Sequence, residues 1–249
     1  MEIYGLVFTL LLGLFILIGT GIVFLTKNND KFVQFSLSMA LGVMVTLIGI
    51  DLLPEVIEIM SNEFNNIISI FMILIFVLIG LMGLKILDKF IPEHDEDGEL
   101  DSDNLHHIGI VSSIALVLHN VIEGMAIYST FVSSFKLGLM ISIGVGLHNI
   151  PLGMVIASTF YKYNNNKKKT TIISLLISLS TFLGGLIMYL LSSFISELLL
   201  GILLSITLGM VLYIVIFELL PHVIENKYKK ESIMGCLVGI GLMLLSLLF

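Results

Sequence analysis

Two histidines and a glutamate in the middle of the chain have the types and spacing of metal ligands. His119 and Glu123 are four residues apart, and His148 follows in the next apolar stretch. A four-residue interval places two side chains on one face of an α-helix. Two imidazoles and a carboxylate suit Zn²⁺, and similar sets accept Fe, Mn, Co or Cd. We therefore predict a divalent-metal site at these three residues.

A structural alternative exists for each histidine, because a single buried imidazole often serves only as a hydrogen-bonding residue. The pattern favours a metal because it occurs twice: Leu118-His119-Asn120-Val121 resembles Leu147-His148-Asn149-Ile150. Cys236 is the only cysteine, which excludes a disulfide and a thiolate cluster and argues against Cu(I). Any ligands must therefore come from His, Asp, Glu or Asn.

The elements that position these residues are long apolar segments. The chain is 57% hydrophobic and only 12% charged, so water cannot be its main solvent. Spanning a bilayer takes about 20 apolar residues. Eight such stretches lie at about 3–26, 34–58, 67–87, 107–132, 137–161, 171–193, 197–223 and 232–249. We predict an all-α polytopic membrane protein with one transmembrane domain over residues 1–249.

Lysine distribution predicts how the helices cross the membrane. The chain has no arginine, and a topology with both termini outside puts eleven lysines in cytoplasmic segments and leaves Lys136 outside. No positive residue precedes the first apolar run, which predicts a retained first span rather than a cleaved signal. We expect a multi-pass protein of the cell membrane.

Residues 92–107, PEHDEDGELDSDNLHH, form the longest polar segment, with seven carboxylates and three histidines. The composition predicts a disordered cytoplasmic loop. Two interpretations remain open, a solvated acidic linker or an arm that collects metal ions. The formal net charge of −7 comes mainly from this loop, and we expect no nucleic-acid partner.

A second repeated motif predicts internal symmetry. Residues 51–58, DLLPEVIE, match residues 218–225, ELLPHVIE, at six of eight positions. The two segments run in opposite directions through the membrane, which favours an inverted repeat, with helices 1–3 and 6–8 around a central hairpin of helices 4 and 5. Chance similarity between two apolar helix ends is the alternative.

Prolines accompany the polar residues in three of the predicted helices. Pro54, Pro151 and Pro221 lack an amide hydrogen, so each leaves the carbonyl four residues earlier without its helical partner. Free carbonyls at membrane depth are tolerated where they are buried in protein or line a wet cavity. The prolines lie near Asp51, His148 and Glu218, which favours a polar pathway.

His119-Asn120-Val121-Ile122-Glu123-Gly124 and His148-Asn149-Ile150-Pro151-Leu152-Gly153 resemble the paired motifs of the ZIP family of metal-ion transporters. The likeness extends over the whole chain. It implies that His119, Glu123 and His148 are ligands of the primary transport site. Asn120 and Asn149 match positions of an adjoining second metal site, and Asp51 and Glu218 match polar positions along the route. The family also implies a carrier that moves a helix bundle against a scaffold, often within a homodimer.

Three positions depart from the family pattern. Ile122 replaces the usual proline of helix 4, Leu152 replaces a metal-bridging glutamate of helix 5, and Thr181 stands where many members have a glutamate in helix 6. Because two expected carboxylates are missing, we predict one metal site rather than two.

The leading hypothesis is a carrier that moves zinc, or a similar ion, towards the cytoplasm without a prosthetic group. A metal sensor or non-transporting relative is the main alternative, since Leu152 and Thr181 remove second-site ligands. A membrane-embedded zinc hydrolase is disfavoured because HExxH and GxSxG motifs are absent and no second carboxylate lies beside the site as a base.

Overall fold

The computed structural model describes residues 2–26, 29–91 and 102–246, and these residues form eight helices without a β-strand. We label them in chain order. They are α1 Glu2–Leu25, α2 Asp30–Glu63, α3 Asn66–Asp88, α4 Ser102–Ser133, α5 Phe135–Asn164, α6 Lys167–Leu191, α7 Glu197–Glu225 and α8 Lys229–Ser246.

Seven of these helices, α1 to α7, are long and apolar enough to cross a membrane. The prediction of an all-α membrane protein is thereby confirmed. Helix α8 has 18 described residues, and its first three, Lys229, Lys230 and Glu231, are charged. That α8 crosses the membrane stays a prediction, and so does the count of eight membrane spans.

The start of α4 differs from the predicted loop boundary. The helix begins at Ser102, so the last six residues of the segment 92–107 are helical. Leu105 and Ile108 explain the difference, because both side chains are almost completely buried in the main hydrophobic core. Residues 92–101, which carry most of the predicted acidic loop, lie outside the described residues.

The helices pack in a regular set of pairs. Helix α2 packs on α8 and α3 packs on α7, while α4 packs on α5 and α6, and α1 packs on the same two helices. The set of packed pairs is symmetric. It stays the same when α1 is exchanged with α6, α2 with α7, α3 with α8 and α4 with α5. An inverted repeat would produce this packing, although the repeat itself stays a prediction.

Helices α2 and α7 each contain a widened, π-helical turn directly before the proline of the repeated motif. The turns are Ile48–Leu52, which includes Asp51, and Ile214–Leu219, which includes Glu218. In each, a backbone N–H reaches the carbonyl five residues back, from Leu53 to Ile48 and from Leu220 to Val215. Such bulges are frequent at functional sites. Around Pro151, by contrast, α5 stays α-helical.

Candidate metal site

The hairpin of α4 and α5 places the two predicted histidines at one depth. A single residue, Ser134, joins the helices, and its hydroxyl accepts a hydrogen bond from the N–H of Leu137. His119 and His148 are nearly equidistant from Ser134 along their helices, about 20 Å at 1.5 Å per residue. The repeated motifs therefore meet side by side in the middle of the bundle.

Glu123 lies between the two imidazoles. Its Oε1 is 2.9 Å from Nε2 of His148, which donates a hydrogen bond, and 3.6 Å from Nε2 of His119. One ligand atom from each of the three residues lies within 4.8 Å of the others. Two ligands of a tetrahedral Zn²⁺, each about 2.1 Å from the ion, lie about 3.4 Å apart. The three side chains are thus spaced closely enough for a single zinc ion.

The unpaired atoms of this site are as informative as the distances. His119 is 3% exposed, yet among the described residues both of its ring nitrogens lack a hydrogen-bond partner, as does Oε2 of Glu123. A buried polar atom without a partner costs about 1–3 kcal/mol. A divalent cation between the side chains would bind one ring nitrogen of His119 and the carboxylate of Glu123, and so offset part of that cost.

Asn120 and Asn149 use one end of their amides to join helices. Nδ2 of Asn120 donates to the carbonyl of Ile177 in α6, and Nδ2 of Asn149 donates to the carbonyl of Leu12 in α1, each at 3.3 Å. Both side chains are fully buried, and neither Oδ1 has a hydrogen-bond partner within the part of the chain that the structure describes. The amides thus fix the helices around the site and keep a buried oxygen that could face an ion.

Asp51 lies close to this site on the widened turn of α2, where it interacts electrostatically with His148 and Glu123. Glu55, one helical turn further, interacts electrostatically with Asp51 and Glu123. Asp51 is exposed and Glu55 half-buried, so two carboxyl side chains lie beside the buried cluster. We did not predict a role for Glu55, although it occupies the position of His222 in the repeated motif.

Glu218 does not join the same cluster. It lies on the widened turn of α7, where its Oε1 is 3.9 Å from Nε2 of His107. The same nitrogen is 2.8 Å from Oδ1 of Asp88, at the end of α3. The residues Asp88, His107 and Glu218 form a second group whose ligand atoms lie within 4.8 Å of one another. Asp88 was not predicted, and His107 was assigned to the loop.

The three departures from the family pattern have structural counterparts. Helix α4 runs without interruption through Ile122. Leu152 is 1% exposed and belongs to the main hydrophobic core, so the position of the missing bridging glutamate is apolar. Thr181 is fully buried, and its carbonyl lies where a Cβ at Gly124 would sit, so α4 and α6 are closely packed there.

A family model described as ZIP zinc transporter matches residues 92–247. That segment begins before α4 and includes both motifs that carry the site.

Curated proteins match over nearly the entire chain. A zinc transporter ZupT of Chlorobium luteolum is 31% identical, with 98% of this chain and 97% of the relative covered. A zinc transporter ZupT of Streptococcus mutans is 29% identical, with 97% and 96% covered. The similarity thus includes α1 to α3 as well as the segment that the family model matches.

Proposed function

The chain belongs to the ZIP family of zinc transporters, and we propose that it carries zinc across the cell membrane towards the cytoplasm through His119, Glu123 and His148. The resemblance seen in the sequence is confirmed. The family consists of transporters, which also confirms the expectation that the chain is not an enzyme.

One observation supports the site more than any other. Three potential ligands lie together between α4 and α5, with both histidines buried and Glu123 half-buried, and several of their polar atoms have no hydrogen-bond partner in the described part of the chain. Such an arrangement is costly unless something completes it, and a transported cation completes it while it passes.

The route and the direction are inferred from charge. Asp51 and Glu55 interact electrostatically with the buried site, and we infer that they form an acidic approach to it. The lysine distribution predicts that this end of α2 is outside the cell. A negative approach concentrates divalent cations by electrostatic attraction. We therefore propose entry past Glu55 and Asp51, binding at Glu123, and exit towards the end where Glu218 lies.

Uptake into sealed vesicles tests this proposal. Wild-type protein should show saturable zinc uptake, His119→Ala should abolish it, and cadmium, iron and manganese as competitors would rank the metals. Glu197→Gln is the control, since Glu197 is exposed at the start of α7 and belongs to neither predicted motif. Uptake that survives His119→Ala would contradict the proposed site.

A metal sensor remains the second candidate, because the apolar burial of Leu152 removes a ligand that many relatives of the family possess. Zinc binding by the wild-type protein without any uptake would support the sensor. We also propose that zinc is the cargo and that residues 92–107 collect it, and uptake into the same vesicles tests both. We propose a homodimer as well, which a mass measurement in detergent tests.

A further inference from the structure

We infer that the ion pair between Lys162 and Asp30 is a latch, which holds two groups of helices together at one end of the molecule and opens when the transported ion leaves there. Nζ of Lys162, near the end of α5, lies 2.7 Å from Oδ1 of Asp30, the first residue of α2. The lysine distribution predicts that this end faces the cytoplasm. The inference rests on the proposed function, because a carrier has to open the two ends of its route in turn.

The packing of the helices defines the two groups. Helices α1, α4, α5 and α6 pack mainly on one another, and α2, α3, α7 and α8 form the other group. Within each group, an added Cβ at several glycines would overlap a carbonyl of the neighbouring helix, as at Gly19 and Gly153 between α1 and α5 and at Gly42 and Gly239 between α2 and α8. Across the boundary, a Cβ at Gly144 of α5 would lie 3.0 Å from the carbonyl oxygen of Ser246 in α8. The helices therefore approach each other more closely within a group than between the groups.

Next to the ion pair, the boundary between the groups is an apolar cluster. Met39 of α2 packs with Met154 and Ala157 of α5, and Phe32 and Tyr161, which are close in sequence to the two charged residues, pack against the same cluster. Methionine side chains are flexible and adapt to irregular gaps. Apolar contacts of this kind are not directional, so they do not fix one arrangement of the two groups. The ion pair adds a directional contact at the edge of the cluster.

A second ion pair near the same end joins two helices of one group and allows a comparison. Nζ of Lys31 in α2 lies 3.7 Å from Oε1 of Glu231 in α8, which is too far for a hydrogen bond. The side chain of Lys31 is 64% exposed, whereas that of Lys162 is 32% exposed. Lys162 and Asp30 thus form the shorter pair, and its lysine is better shielded from solvent.

The strength of the pair suits a contact that breaks in every transport cycle. An ion pair that is partly open to solvent changes an equilibrium constant by up to about fivefold. Such a contact favours the arrangement in which the groups meet at this end, without preventing their separation. Removal of either charge should therefore increase the population in which this end is open.

The distance between two spin labels tests the latch in the purified, full-length protein. With Cys236 replaced by Ala, Lys168→Cys in α6 and Lys230→Cys in α8 place one label on each group, at exposed positions outside both ion pairs. Double electron–electron resonance should show a shorter and a longer distance. Lys162→Met removes the charge and should raise the ratio of longer to shorter distances by about two- to fivefold. Lys31→Met, which breaks the pair within one group, is the matched control and should leave the ratio unchanged.

A double-mutant cycle and salt make the test specific to the ion pair. Asp30→Asn should change the ratio as Lys162→Met does, and the two substitutions together should have no larger effect than either one. About 1 M KCl, which screens exposed charges, should shift the wild-type ratio and leave that of Lys162→Met unchanged. A single distance in both proteins, a ratio that Lys162→Met does not change, or additive effects of the two substitutions would overturn the inference. Distances that respond as expected in a protein without zinc uptake in vesicles would contradict the proposed function alone.

Discussion

Nε2 of His148 lies 2.9 Å from Oε1 of Glu123, and this hydrogen bond joins the two helices of the central hairpin. Glu123→Gln keeps an oxygen that can accept it but removes the negative charge that a cation needs. We expect zinc affinity to fall by more than about tenfold with little loss of stability, since even indirect changes near a metal cost that much. Isothermal titration checks this. Glu197→Gln, at the exposed start of α7, is the control and should bind zinc normally.

Zinc binding should weaken in acid and release protons. In acid, protons on the imidazole nitrogens and on the carboxylate of Glu123 compete with the ion for the same ligand atoms, and the ion must displace these protons in order to bind. Titrations in buffers of different ionisation enthalpy measure the released protons. Circular dichroism at each pH separates competition from unfolding. Affinity that stays constant as the pH falls would contradict a site built on His148 and Glu123.

Leu152→Glu should destabilise the protein in the absence of metal. The leucine is buried in the apolar core, and an isolated polar group there costs about 3 kcal/mol or more. Leu152→Met, which keeps the volume and the polarity, should cost less than about 1.5 kcal/mol. Thermal melts of both variants provide the comparison. If Leu152→Glu were as stable as the wild type without zinc, the conclusion that Leu152 has apolar surroundings would be wrong.

Gly124→Ala should lower the melting temperature and impair uptake. An added Cβ would overlap the carbonyl of Thr181 in α6, so the backbones of α4 and α6 would have to separate next to Glu123. Gly83→Ala in α3 is the matched control, because a Cβ there meets no atom of the described residues within 4 Å. That change should be neutral or stabilising by up to about 1 kcal/mol through helix propensity. Equal effects of the two substitutions would contradict the close approach.

The predicted orientation can be tested with single cysteines. Replacing Cys236 by Ala and then introducing Lys136→Cys or Lys168→Cys gives two proteins with one thiol each. A membrane-impermeant thiol reagent added to intact cells should label the first and not the second. The reverse pattern would invert the topology and with it the proposed direction of transport.

The transmembrane helices could be predicted from hydrophobicity, because a bilayer requires long apolar helices and the sequence shows apolar stretches of that length. The pairing of His119 with His148 was also predictable, since both lie at similar distances from one tight turn. Asp88 and His107 were missed for a physical reason: three side chains distant in sequence meet only through the packing of α3, α4 and α7. The signal available in the sequence was the apolar Leu105 within the polar segment, which is buried where α4 extends into that segment.

The widened turn at Ile48–Leu52 gives α2 two different faces. One additional residue in a turn rotates all later side chains by about 100° around the helix axis. Before the turn, α2 packs on α8 and α5, and after it the same helix packs on α3 and α7. Deleting one residue there would restore regular α-helical winding and turn Asp51 away from Glu123. The one additional residue in this turn therefore sets the direction in which Asp51 points around the helix axis.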